Sequence, residues 1–223
     1  MSLFLRSTWA IVLKELQIEL RTNAILVTAG LFGLLVTVLT SLAFFLDDVT
    51  ARKLAPGVLW IGACFAGVLA MGRAWARERE ADAIRGLMLA PIPRSAIYAG
   101  KAIGTFVFVL LIDLVLLPVV GLLFRLELMP ALLPVSVILV LGTTGYVAMG
   151  TLFAAMSVRT RARDLMLSVV LFPLASPALV AATRDVLGGM PLDETVEWLR
   201  ILGAFDLVAI VCGLVLFEPL MSD

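Results

Sequence analysis

The sequence predicts an all-α, polytopic membrane protein, and three observations predict it. The 223 residues are 62% hydrophobic and only 15% charged, with a mean hydropathy of +1.10; a soluble domain is about half apolar and about a quarter charged. The apolar residues gather into six runs close to the roughly 20 residues that a spanning helix needs. Lysine and arginine are divided unevenly between the short segments joining those runs. Net charge is zero and the pI about 6.3, so no nucleic-acid partner is expected.

The predicted spans are 23–46, 55–75, 102–124, 131–158, 165–183 and 199–220, in one transmembrane domain over 1–223. The fifth is short and carries Pro173 and Pro177, which predict a kink or a local break. Pro118 and Pro134 are expected to disturb the third and fourth spans. Gly142, Gly145, Ala148 and Gly150 are small enough to permit close helix contacts in the fourth. Orientation follows from the loops. Arg6, Lys14, Arg21, Arg73, Arg77, Arg79, Arg85, Arg94, Lys101, Arg159, Arg161 and Arg163 fall on one side, twelve in all. Arg52, Lys53, Arg125, Arg184 and Arg200, five in all, fall on the other. The positive-inside rule places the first side, and both termini, in the cytoplasm of a cell whose inner membrane holds the chain.

Before the first span, residues 1–22 lack the uncharged core of a cleavable signal, because Lys14 and Glu15 interrupt it. At about 100° per residue, Leu5, Trp9, Val12, Leu13, Leu16 and Leu20 share one face. Ser7, Lys14, Gln17 and Arg21 lie opposite, with Ile11 and Ile18 blurring the polar side. This predicts an amphipathic helix lying in the membrane interface. On the outer side, residues 184–198 contain Gly188, Gly189 and Pro191. Asp193 can cap a short amphipathic helix bearing Val196 and Leu199, which enters the sixth span at Trp198.

Several chemistries are excluded. The chain has no histidine, which removes Ser-His and Cys-His pairs, HExxH zinc sites and His-ligated haem. Cys64 and Cys212 lie in apolar runs with no metal-binding spacing. Gly100-Lys101 has Ser95 and Ala102 where a phosphate-binding loop needs Gly and Ser or Thr. No cofactor or metal site is expected in the chain itself.

The largest water-facing piece on the basic side is residues 76–101. Arg77, Glu78, Arg79 and Glu80 continue the second helix beyond the membrane. Asp82 to Leu89, with Arg85 and Gly86, predict a further short helix whose Ile84, Leu87 and Met88 share a face. Pro91 and Pro93 stop it, Ser95 can cap the next helix, and Arg94 and Lys101 lead into the third span. A charged elbow with an apolar stripe fits a cleft on another protein; a solvated loop with snorkelling charges is the competing reading. Two carboxylates, Asp113 and Asp206, lie within spans at depths of roughly 16 and 21 Å from the basic side. There a lone charge costs about 2.5–3.5 kcal/mol, so both are expected to face protein or water, as a gating or proton site or as structural hydrogen-bonding groups. They are expected to be neighbours if the third and sixth helices meet.

An interfacial helix, six spans, a charged elbow between the second and third, and an outer amphipathic segment resemble the ABC-2 type exporter permeases. Lys14-Glu-Leu-Gln-Ile-Glu-Leu-Arg21, Leu54-Ala-Pro-Gly-Val-Leu-Trp60, Arg77-Glu-Arg-Glu80, Gly86-Leu-Met-Leu-Ala-Pro91 and Tyr98-Ala-Gly-Lys101 are similar to the CcmB family, haem exporter protein B of bacterial cytochrome c maturation. The resemblance implies a permease homodimer bound to two copies of the ATPase CcmA, which holds ATP and Mg²⁺. It also implies assembly with CcmC and CcmD, and haem delivery through the periplasmic chaperone CcmE. Residues 76–101 are then the ATPase-coupling elbow, and the chain is a non-catalytic subunit that transmits force for haem delivery and release of the haem-loaded chaperone. A conduit of the same fold that moves haem or another hydrophobic substrate through the dimer interface is one alternative. A proton-coupled carrier using Asp113 and Asp206 is another.

Overall fold

The computed structural model describes residues 3–43, 48–80, 86, 89–157, 179–181, 183, 187 and 192–222. Among them are six long helices: α1 Leu3–Thr22, α2 Ala24–Ala43, α3 Asp48–Glu80, α4 Arg94–Leu123, α5 Leu128–Ser157 and α6 Leu192–Ser222. Five of these, α2 to α6, are long and apolar enough to cross a membrane. The chain is a multi-pass membrane protein. The predicted fifth span, residues 165–183, lies outside the described residues except for 179–181 and 183.

The elements follow from where the chain can and cannot be helical. Asn23, at φ 48°, takes the left-handed conformation that ends α1 and lets α2 start at once. Arg125, at φ 50°, does the same between α4 and α5: the Leu126 N–H reaches back to the Gly121 carbonyl at 2.9 Å, closing the last turn of α4. α4 runs unbroken through Pro118 and α5 through Pro134, so neither proline interrupts its helix as expected. Each removes one N–H donor, a loss that a helix with packed neighbours absorbs.

Two further expectations are corrected. The outer amphipathic segment is no separate helix: α6 begins at Leu192, and no breaker separates Asp193 from the span, so Asp193 lies inside the first turn. Ser95 does not cap α4; Pro93 holds the cap position, without a side-chain bond, and the Ala96 N–H reaches the Pro93 carbonyl at 2.9 Å. Proline suits this boundary because it has no N–H to leave unmet.

α4 is the centre of the bundle and packs against α1, α2, α3, α5 and α6. Its buried face includes Tyr98, Lys101, Phe108, Ile112, Asp113, Leu116 and Val120. α6 lies along α5, and α2 lies along α3. Small residues set the distances. At Gly33 an added Cβ would stand 3.4 Å from the Ala66 Cβ, and at Gly67 it would collide with the Tyr146 ring, whose hydroxyl donates to the Cys64 carbonyl at 2.6 Å. Gly142 leaves room for Trp60, whose indole N–H donates to Thr183 Oγ1 at 2.8 Å.

Candidate functional site

The elbow is where chemistry-bearing side chains converge. α3 carries the chain out to Glu80, and α4 brings it back from Arg94. Asp82, Arg85, Leu87 and Met88, with the expected short helix, lie outside the described residues except for the exposed Gly86 and Leu89. The side chains of Glu78, Arg79 and Glu80 lie outside them too. The two legs of the elbow can be described, and both are tied to α1.

The tie begins with two glycines. α1 approaches α4 so closely that a Cβ on Gly100 would sit 2.7 Å from the Ile11 Cβ, and one on Gly104 3.0 Å from the Glu15 Cβ. Lys101, between these glycines, is 1% exposed; its ammonium donates to Glu15 Oε1 at 2.9 Å and lies 5.0 Å from the centroid of the Trp75 ring. One turn further along α1, Glu19 Oε2 accepts from an Arg77 Nη2–H at 2.8 Å on the outgoing leg. Its other oxygen accepts the backbone N–H groups of Ile25 at 2.7 Å and Leu26 at 2.8 Å, capping the first turn of α2. A single carboxylate therefore joins α1, α2 and α3. Lys14 comes within 3.6 Å of Glu15 Oε1.

The returning leg is held on its other side as well. Tyr98 donates its hydroxyl to the Ala148 carbonyl at 2.9 Å and stacks on Phe217 at 5.6 Å between centroids, while Gly213 makes room for the phenol. Phe217 also meets Trp75 at 6.3 Å, and Arg94 Nη1 reaches the Glu218 carbonyl at 3.5 Å. Within two turns α4 touches α1, α3, α5 and α6. Lys101 was expected on the docking surface; the structure places it beneath that surface. Arg77 stands at the boundary, with its side chain 23% exposed. Pro91 lies in the turn before α4, and Arg94 is the first residue of that helix.

A profile of the CcmB protein family matches residues 6–217, nearly the whole chain, including α1 and both legs of the elbow. The chain belongs to the CcmB family. It is 30% identical to the heme exporter protein B of Bradyrhizobium diazoefficiens over 207 residues, covering 92% of each chain. It is also 30% identical to heme exporter protein B of Paracoccus denitrificans over 191 residues, covering 84% of this chain and 87% of the relative. The relative of that name in Pseudomonas aeruginosa is 27% identical over 210 residues, covering 90% and 93%.

Elsewhere in this CcmB-family chain, the two intramembrane carboxylates are buried but are not partners. Asp113 on α4 accepts the Thr143 hydroxyl of α5 at 2.7 Å. Asp206 on α6 fits where a Cβ on Gly145 would be, and neither of its oxygens has a side-chain hydrogen-bond partner among the described residues. Thr143 and Gly145 are two residues apart, or about 200° around α5, so the aspartates approach opposite sides of that helix. The helices that carry them do meet, but at the elbow end, through Tyr98 and Phe217.

Glu15 and Glu19 were not singled out from the sequence, though they are the acids of the Lys14–Arg21 motif. Their four-residue spacing puts them on one face, and they are the only acidic residues in α1. Two acids one turn apart on the basic side of a membrane protein are the signal that could have identified them.

Proposed function

We propose that this chain is the membrane subunit of an ATP-driven haem exporter, and that it carries motion from a partner ATPase into the bundle through the elbow at residues 76–101. Family membership and the name of the relatives, heme exporter protein B, support haem as the cargo. The carrying observation is the double tie: the outgoing leg is bound to α1 by Arg77–Glu19 and the returning leg by Lys101–Glu15. A surface that must transmit force is useful only when joined firmly to the spans, and here Glu19 passes the connection to α2. The reading places the chain as a homodimer in the bacterial cytoplasmic membrane with both termini and the elbow inside. Two copies of CcmA dock on the elbow and hydrolyse ATP with Mg²⁺; CcmC, CcmD and the haem chaperone CcmE complete the assembly. Hydrolysis stays with CcmA, and haem is handled by the complex as cargo.

Asp113 and Asp206 have a smaller part in this reading. They turn into α5 from opposite sides, which gives a proton relay between them little support and suits separate structural roles.

The test is co-purification of the detergent-solubilised chain with its cognate ATPase, comparing wild type with Arg79→Glu/Arg85→Glu. These positions leave the Arg77 and Lys101 ties intact. Loss of the ATPase from the variant supports docking on the elbow. Equal capture by variant and wild type, or no capture by wild type, refutes it.

A further inference from the structure

α1 has three faces rather than two. Toward the protein it turns Thr8, Ile11, Glu15 and Glu19, all buried. Next around the helix come Leu5, Trp9, Leu13 and Leu20, which stand 52%, 57%, 39% and 75% exposed. Beyond these, at about 100° per residue, lie Arg6, Gln17, Arg21 and Lys14; the first three are exposed and Lys14 partly so. Both acids of the helix are consumed inward, by Lys101 and Arg77. The charged side chains left on the outward side are therefore all cationic.

From this division we infer that the outward side of α1 is a binding surface for anionic phospholipid headgroups. Three observations support lipid as the occupant. α1 is joined to a spanning helix through Asn23 alone, so its end is fixed at the depth where a span leaves the hydrocarbon. The exposed apolar strip includes Trp9, and an indole favours the level of the headgroups. The cationic strip adjoins the apolar strip instead of opposing it. A helix lying flat with its leucines in the acyl region thus holds Arg6 and Arg21 beside the phosphates, not out in bulk water. Arginine then meets phosphate oxygens with its forked donors. A zwitterionic headgroup offers the same phosphate with its charge already compensated, so the preference is for net negative lipid. This inference does not depend on the proposed transport function.

The full chain in nanodiscs supplies the test, with tryptophan emission quenched by brominated lipid. Brominated phosphatidylglycerol is compared with brominated phosphatidylcholine at equal mole fraction. The Trp9→Phe variant isolates the Trp9 contribution from that of Trp60, Trp75 and Trp198. The expected result is stronger quenching of Trp9 by the phosphatidylglycerol, with a relative binding constant favoured roughly fivefold for each cation in contact. Arg6→Gln/Arg21→Gln, which leaves the Lys14 and Glu15 contact in place, should bring the two lipids to near equality. Equal quenching in the wild type, or a preference that persists in the double variant, overturns the inference. Trp9 quenched by neither lipid also overturns it, and would show the face covered by protein, such as a second copy of the chain.

Discussion

Replacing Lys101 with Met should destabilise the bundle more than any exposed charge substitution. The methionine side chain is similar in length and fills the slot between Gly100 and Gly104, so the main change is loss of the ammonium. Lys101 is 1% exposed and the Glu15 side chain 4% exposed. Removing the cation leaves Glu15 facing Lys14 at 3.6 Å, whose side chain is 37% exposed. Breaking one side of a buried pair costs about 3–5 kcal/mol, because the other charge stays desolvated. Lost attraction between the ammonium and Trp75 adds about 0.5–2 kcal/mol. Allowing for partial rescue by Lys14, a loss of roughly 3 kcal/mol is expected, near two powers of ten in the folded-to-unfolded ratio. Glu15→Leu alone should cost a similar amount. The double variant Glu15→Leu/Lys101→Met removes both charges and should recover most of the loss, since apolar replacements of whole buried pairs are often neutral. Reversible unfolding in mixed micelles, followed by tryptophan emission, measures all four members of the cycle. Additive losses in the double variant, or a single-variant cost below about 1 kcal/mol, would refute a buried, mutually dependent pair.

Further predictions concern the same junction and the spans. Gly100→Val should cost about 1–3 kcal/mol by driving α1 off α4, whereas Gly203→Ala in α6, where an added Cβ meets nothing within 4 Å, should stabilise by about 0.5–1 kcal/mol; thermal midpoints of the two variants should move in opposite directions. Tyr98→Phe leaves the Ala148 carbonyl without its 2.9 Å donor and should lower stability by about 1 kcal/mol while keeping the ring stack with Phe217. Glu19→Gln keeps an oxygen to cap α2 but removes the charge that Arg77 meets, so it should be less harmful than Glu19→Ala, which removes both; equal unfolding midpoints would argue against the capping role. Asp113→Asn/Asp206→Asn should leave haem delivery in a cytochrome c maturation assay largely intact, and its abolition would favour the proton-coupled carrier.

Much of this fold was legible in one dimension. Long apolar runs fixed α2 to α6, because few alternatives to a helix bury twenty apolar residues and satisfy every backbone group in hydrocarbon. Element ends were less legible wherever charged residues belong to a helix: Asp48–Lys53 opens α3 but read as loop, and Asp193–Glu197, read as part of a separate short helix, is continuous with α6. The face of α1 that packs on the bundle could not be read from its apolar stripe, for a physical reason. Apolar residues mark the core side in water, but in a bilayer the lipid side is at least as apolar, so the face bearing Glu15 and Glu19 is the one that packs. Lys101 misled in the same way, since a lysine near a span end reads as a topology signal whether it snorkels or is paired. The partners of Asp113 and Asp206 depend on which helices are neighbours. Periodicity gives a residue's depth and face, and leaves lateral arrangement open.

The position of the two ion pairs limits how the elbow can move. Glu15 and Glu19 are four residues apart, about 6 Å along α1, and they hold legs on opposite sides of the same elbow at 2.9 and 2.8 Å. A charge-assisted hydrogen bond weakens within several tenths of an ångström beyond such distances. Spreading the legs, or sliding α3 along α4, would therefore break at least one buried pair before it moved the outer ends of the spans. The inexpensive motion is a rigid one, in which the elbow, α1 and the first turns of α4 tilt together. Glu19 also holds the Ile25 and Leu26 N–H groups, so that tilt draws the start of α2 along. If an ATPase docks on the elbow as proposed, the path from it would run through α1 and into α2, not only up α3 and α4. The helix that the sequence offers as a surface anchor becomes the member through which the elbow acts on the first span.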